Sequence, residues 1–239
     1  MAAYGCLGLA LLVVANWGYQ MLRKPSELLA LAGSPVPKTS RGTWQAYGRL
    51  FRAHSTDIIP SELLGALAQV ETHGDPLART YWRWRWSWNP FELYAPASSA
   101  VGILQITDAA FEEAKRYCIH DHKVVKAGPW HDLKSCWFNS LYARPIPSHA
   151  IEMTAARLHQ IVVTTLAEER ITRATRDQQQ SLAAVVHLCG TQRGVAYARR
   201  GFRLAPGERC GAHSASAYLA RVQSLTRQFA RLDPDLPTQ

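Results

Sequence analysis

A mainly α-helical fold is predicted for this 239-residue chain, on three observations. Apolar residues recur at helical spacing in several windows, among them Leu64, Leu67 and Ala68, then Ile151, Ala155, Leu158, Val162 and Leu166, then Tyr218, Val222, Leu225, Phe229 and Leu232. Strand-like alternation shows in one place only, the tryptophan-rich stretch from Tyr81 to Pro90. The composition, 47% hydrophobic and 19% charged, is that of a globular chain with enough length to bury a core.

The first element is an almost unbroken apolar run from Ala2 to Ala15. It is shorter than the ~20 residues a membrane-spanning helix needs. It reads as the apolar part of a secretory signal with Ala15 near a cleavage point, although the positive residues that usually precede such a run are missing. Arg23 and Lys24 just after it conflict with an uncleaved anchor that exports the rest of the chain. A retained segment associating with a membrane through residues 2–15, and an ordinary buried helix, are the other readings. Gly33-Ser34-Pro35-Val36-Pro37-Lys38 then reads as a linker. Thr43 to Phe51 offers a helix with Trp44, Tyr47 and Phe51 on one side, a lid for the core.

Pro60-Ser61-Glu62 marks the start of the next helix, proline being tolerated in a first turn where its missing N–H is not needed. Leu64, Leu67, Ala68 and Glu71 fall at i, i+3, i+4 and i+7, so the Glu71 carboxylate shares the face that points into the core. Gly74 and Pro76 stop the helix. Lost hydration at such a place disfavours the charged form, so a raised pKa and a general-acid role are expected for Glu71. The plain alternatives are a solvated last turn or half of an ion pair.

Period two over Tyr81 to Pro90 implies an extended segment with Trp82, Trp84, Trp86 and Trp88 on one face and Arg83, Arg85 and Ser87 on the other. Tryptophan faces stack on sugar rings or sit at membrane interfaces; equally, such a row covers a core. Trp88 is carried as a candidate substrate contact. Ser98 to Thr107 follows, a small-residue loop containing Gly102-Ile103-Leu104-Gln105. Its glycine lets backbone come close to a ligand, and the Gln105 amide can bond a sugar or cap nearby backbone.

After the loop, Thr107 caps a predicted helix carrying Ala110, Phe111, Ala114 and Cys118. A loop with Trp130, Trp137, Asn139, Pro145 and Pro147 leads to a long helix from Ser148. Leu182, Val185, Val186 and Cys189 form another stripe ending at Gly190, and the helix of Tyr218 closes the chain. Apart from Cys6, the cysteines form an even set, which suits two disulfides in an oxidising compartment. Of three connectivities, nearest-neighbour pairing is expected, Cys118 with Cys136 and Cys189 with Cys210. There is no Cys-x-x-Cys, and His120-Asp121-His122 reads as a polar turn rather than a metal site, since no third ligand has suitable spacing.

Taken in order, Glu71-Thr72, Gly102-Ile103-Leu104-Gln105 and Tyr218-Leu219-Ala220-Arg221-Val222 resemble the soluble lytic transglycosylase (SLT) family of the lysozyme-like superfamily. The likeness covers about residues 55 to 230. The family's Ala-Tyr-Asn-Ala-Gly segment is replaced here by Val186-His187-Leu188-Cys189-Gly190, so His187 either takes over a polar contact or is a packed core histidine. The resemblance implies a lysozyme-like helical domain over 55–232, preceded by a signal peptide or anchor (1–18) and a helical extension and linker (19–54), and followed by a tail (233–239). It implies cleavage of peptidoglycan between N-acetylmuramic acid and N-acetylglucosamine by Glu71 alone, with no cofactor or metal. Thr72, Gly102, Ile103, Leu104, Gln105, His187 and Tyr218 would line the site. No second carboxylate carries a motif; Asp75 and Glu92 are merely near.

The net charge of +9 and pI near 9.6 ask for an anionic partner. Glycan strands of the cell wall fit, and acidic lipid fits too. Nucleic acid does not, because the arginines follow no zinc-finger, RNP or helix-turn-helix pattern. A monomer exported to the periplasm or cell envelope is expected. A goose-type lysozyme-like hydrolase and a non-catalytic wall-binding or envelope-assembly component are the rival functions.

Overall fold

The computed structural model describes residues 2–24, 37–78, 80–84, 86–129, 131–132 and 134–232. Linker residues Gly33 to Val36, together with Arg79, Arg85, Trp130 and the 233–239 tail, lie outside the described residues. Helix accounts for 57% and strand for 10%, the mainly α class that the periodicity predicts.

Helix α1 (Ala2–Arg23) leads. Helix α2 (Ser40–Ala53) begins at Thr39, whose hydroxyl accepts the Gly42 N–H. Its Trp44 packs against Phe51 and, from the far end of the chain, Phe229, with ring centroids 6.0 and 5.3 Å apart. This is the lid that Trp44, Tyr47 and Phe51 predict. Helix α3 (Ser61–Thr72) is the axis of the domain: every residue from Ser61 to Gln69 is buried. It is therefore covered nearly all round rather than along one stripe, which is how a central helix differs from a surface one. Most of that cover comes from α8 (Ala215–Ala230), which lays Tyr218, Val222, Leu225 and Phe229 along it.

After α3 the chain forms a small hairpin, β1 (Trp82–Trp84) paired antiparallel with β2 (Tyr94–Pro96). Only this part of the tryptophan stretch is strand. Trp82 and Trp84 share a face and lean on Tyr94, at 5.3 and 4.8 Å between centroids, whereas Trp86 and Trp88 lie beyond the ladder and stand fully exposed. The row does not cover the core.

Helix α4 (Asp108–Ala114) is capped by Thr107 as expected but stops at Ala114, four residues short of Cys118. Cys118 belongs instead to β3 (Tyr117–His120), paired with β4 (Lys123–Lys126). The expectation of strands only around the tryptophans is thus corrected. Val124, Val125 and Ile119 favour strand, and Asp121 and His122 both take positive φ, as a two-residue hairpin turn requires. His122 within that turn bonds the Ser55 carbonyl through Nδ1.

The long helix α5 (Pro147–Glu168) buries Ile151, Ala155, Leu158 and Val162 as the spacing predicts. Its Glu152 accepts the Tyr142 hydroxyl and the Ile119 N–H, at 2.8 and 3.0 Å, and so ties β3 to α5. Helix α6 (Arg176–Cys189) opens with a capping box, Thr175 and Gln178 each bonding the other's backbone. Helix α7 (Thr191–Arg199) packs closely on α6 because Gly194 leaves room for Val186. The short pair β5 (Arg209–Cys210) and β6 (His213–Ser214) leads into α8. Two disulfides close the described fold, Cys118–Cys136 and Cys189–Cys210, the nearest-neighbour pairing. Such bonds suit an oxidising, non-cytoplasmic compartment.

Candidate active site

Glu71 lies in the last turn of α3. The helix ends just beyond it because His73 takes the left-handed conformation and Gly74 returns its N–H to the Ala68 carbonyl. This end is held from outside: Gln69 donates to the Lys38 carbonyl at 3.0 Å and accepts the buried Thr43 hydroxyl at 2.7 Å. The Glu71 side chain is 20% exposed, so one side of the carboxylate is open and the other is walled.

Two residues form the wall. The Tyr218 hydroxyl, from α8, donates to Glu71 Oε1 at 2.6 Å. His187 Nε2, from α6, lies 3.5 Å from the same oxygen. Burial and the adjacent carboxylate push the Tyr218 phenol well above its ordinary pKa, so it stays a donor. Glu71 behaves otherwise than expected. Burial works to raise its pKa, but the hydrogen bond and charge of His187, the Tyr218 hydrogen bond and the charge of His213 together outweigh it. The carboxyl is held below its ordinary value. The expected raised pKa is therefore corrected: an apolar stripe reports desolvation, and it is blind to the partners that other elements bring.

Thr72 is buried and turns away from the open side. Its hydroxyl donates to the Ala68 carbonyl at 3.1 Å and to the Ile103 carbonyl at 2.9 Å, which ties the acid's helix to the loop. That loop is a tight turn: Val101 and Ile106 exchange both backbone bonds, and Gln105, at positive φ, folds its amide nitrogen back onto the Gly102 carbonyl at 3.0 Å. Gly102 has φ +83°, and a Cβ there would run into the Arg144 carbonyl. Its freedom thus lets protein backbone approach. Ile103 and Leu104 are completely buried and support the loop from beneath. Arg144 grips the loop from both flanks, donating to the Ser99 and Ile106 carbonyls, each at 2.9 Å.

Gln105 and His187 line one cavity of roughly 50 Å³, with Thr154 and Arg157 behind them. The structure so brings Glu71, His187 and Tyr218 together, sets Gln105 beside His187, and uses Thr72 to fasten the two halves. Trp88 stands apart on the β1–β2 hairpin. Asp75 spends its carboxylate on the Leu77 N–H at 2.9 Å, and Glu92 accepts the Ser87 hydroxyl at 3.3 Å within the hairpin.

The residues that sequence reasoning passed over are His213 and Arg144. His213 had a signal: it falls between Cys210 and Tyr218, and the Cys189–Cys210 bond draws that stretch to the end of α6, where His187 sits. Arg144 lies in an irregular segment and carries no pattern. A carboxylate with an open side, a phenol donor and an imidazole on one oxygen, and an adjacent amide-lined cavity can exchange protons with a bound polar ligand. Among family models, curated proteins and solved structures, none matches this chain.

Proposed function

We propose that the chain is a peptidoglycan lytic transglycosylase, with Glu71 as its single acid and base. The observation that supports this most is the Tyr218–Glu71 hydrogen bond of 2.6 Å between α8 and α3. It fixes a partly open carboxylate beside the Gly102 to Gln105 loop, the arrangement that the SLT resemblance calls for.

Glu71 protonates the oxygen joining N-acetylmuramic acid to N-acetylglucosamine, and the C1–O bond breaks as that proton goes to the leaving sugar. The substrate's own N-acetyl carbonyl stabilises the oxocarbenium-like centre. The Glu71 carboxylate then removes the proton from the muramyl C6 hydroxyl, whose oxygen closes on C1 to give the 1,6-anhydro ring. Glu71 ends protonated, ready for the next bond. Tethering of the nucleophile replaces water. Because its neighbours hold the Glu71 pKa below its ordinary value, the free site favours the carboxylate. Substrate seated on the open side adds desolvation, the influence there that favours the proton. The reading places the protein outside the cytoplasm, in the periplasm or envelope, acting on glycan strands as a monomer.

One observation favours a second reading. His187 beside Glu71 is a group that could activate water, and the product would then be that of a goose-type lysozyme-like hydrolase. Mass spectrometry of digested sacculi separates the two, since anhydro ends are lighter than reducing ends by one water. Absence of any released muropeptide would leave a wall-binding or envelope-assembly component instead.

A further inference from the structure

The N-terminal helix and the tryptophan hairpin look unrelated in sequence, yet they meet in the fold. Helix α1 is fastened along one polar stripe, Asn16, Gln20 and Lys24, at i, i+4 and i+8. Asn16 Nδ2 donates to the Tyr94 carbonyl at 2.8 Å, Gln20 Nε2 to the Phe91 carbonyl at 2.6 Å, and Lys24 Nζ to Thr80 Oγ1 at 3.1 Å and the Ser98 carbonyl at 3.3 Å. Tyr19 lays its ring on Phe91, with centroids 5.3 Å apart. The N-terminal half of α1 is apolar and uncovered: Leu7, Leu11, Leu12, Val13 and Val14 are each more than half exposed. Beside it, Trp84 is 74% exposed, and Trp86 and Trp88, farther along the chain beyond the hairpin ladder, are wholly so. A cleft of about 280 Å³ joins the two elements, lined by Leu12 and Val13 on one side and Trp84, Phe91, Leu93 and Tyr94 on the other.

We propose that α1 is retained and that its apolar flank and the hairpin tryptophans seat together in the interface of an anionic bilayer. An apolar surface this extensive is rarely left to water. Aliphatic side chains beside tryptophan rings are the mixture that lies at the boundary between acyl chains and headgroups. Charge selects the lipid. In sequence, residues 1–27 and 79–92 carry five basic residues, Arg23, Lys24, Arg79, Arg83 and Arg85, against two acids, Glu27 and Glu92, and the whole chain has a net charge of +9, so the balance of charge favours an anionic surface. The helix lies along the membrane rather than across it, because its polar stripe is engaged with protein, and among the described residues no helix is long and apolar enough to cross. Lys24 also holds the Ser98 carbonyl, four residues before Gly102. The proposal does not depend on the glycan-cleaving reading and would hold equally for a wall-binding protein.

The test uses the purified full chain, floated on density gradients with vesicles of phosphatidylcholine alone or mixed with phosphatidylglycerol, and with brominated lipid to quench tryptophan fluorescence. The chain is expected to float with the anionic vesicles and to be quenched. Trp86→Ser with Trp88→Ser, and separately Leu11→Asp with Val14→Asp, should each lower partitioning by about tenfold or more. Both pairs are exposed, so circular dichroism and melting temperature should match wild type. The proposal is overturned if wild type stays at the bottom of the gradient or if the tryptophan variant floats as well as wild type. It is also overturned if exported protein has the mass of a chain beginning at Asn16, or if a stable dimer with unquenched tryptophans forms instead, which would assign the surface to a second copy.

Discussion

Tyr218 and Glu71 are 147 positions apart in sequence and 2.6 Å apart at their oxygens, and the chemistry of the site turns on that contact and its neighbour His187. Helical spacing tells that Glu71 faces inward, since the period of a helix carries orientation. It does not tell what meets the carboxylate there, so the direction of the pKa shift was not legible. Removing the phenol tests the contact. Tyr218→Phe loses a hydrogen bond to a charged group, of order 1.5–3 kcal/mol, so kcat should fall roughly ten- to a hundredfold with KM little changed; an unchanged kcat would show that the phenol only packs. His187→Gln tests tuning. His187 lowers the Glu71 pKa, and in the proposed reaction the acid step needs the protonated form, so activity should be lost as pH rises past that pKa. Without His187 the pKa rises, and the alkaline limb of the kcat/KM profile should move to higher pH. A limb that stays in place would mean that His187 does not set the acid.

Helices α3, α5, α6 and α8 were legible because each carries a sustained apolar stripe, and their N-terminal signals, such as Thr107 for α4, are local. Helix α7 was not, for its buried residues are only Gly194, Tyr197 and Ala198 and leave no stripe to read. The β3–β4 hairpin was missed for a related reason: strands of four residues offer too few alternations, and Cys118 sits at a helix-compatible distance from Ala114. The tie between α3 and the Gly102 loop was invisible as well, because a threonine hydroxyl bonding a carbonyl 31 residues away has no periodicity. Thr72→Val keeps the shape and strands the Ile103 carbonyl in a buried place. It should cost about 1–3 kcal/mol, seen as a lower melting temperature, and should reduce cleavage by loosening the loop. A variant with both unchanged would mean that the tie does not matter.

At the scale of the molecule, the two disulfides do different work. Cys118–Cys136 staples the β3–β4 hairpin to the segment before α5, whereas Cys189–Cys210 joins the end of α6, two residues past His187, to the strand just before His213 and Tyr218. With its ends 21 positions apart, the second should contribute about 3 kcal/mol by restricting the unfolded chain. Cys189→Ser with Cys210→Ser should lower the melting temperature and depress glycan cleavage more than the corresponding change at Cys118 and Cys136. Equal losses would deny the second disulfide a role at the site. The even cysteine set was readable from sequence; its position behind the acid needed the fold. So did the union of α1 with the tryptophan hairpin, since nothing in either stretch points to the other. The most direct measurement of the central claim is mass spectrometry of purified sacculi digested by wild type and by Glu71→Gln. Muropeptides with 1,6-anhydro ends from wild type and none from the variant, which should still fold and bind sacculi, is the predicted result. Release of no muropeptides by wild type, or continued cleavage by the variant, would contradict it.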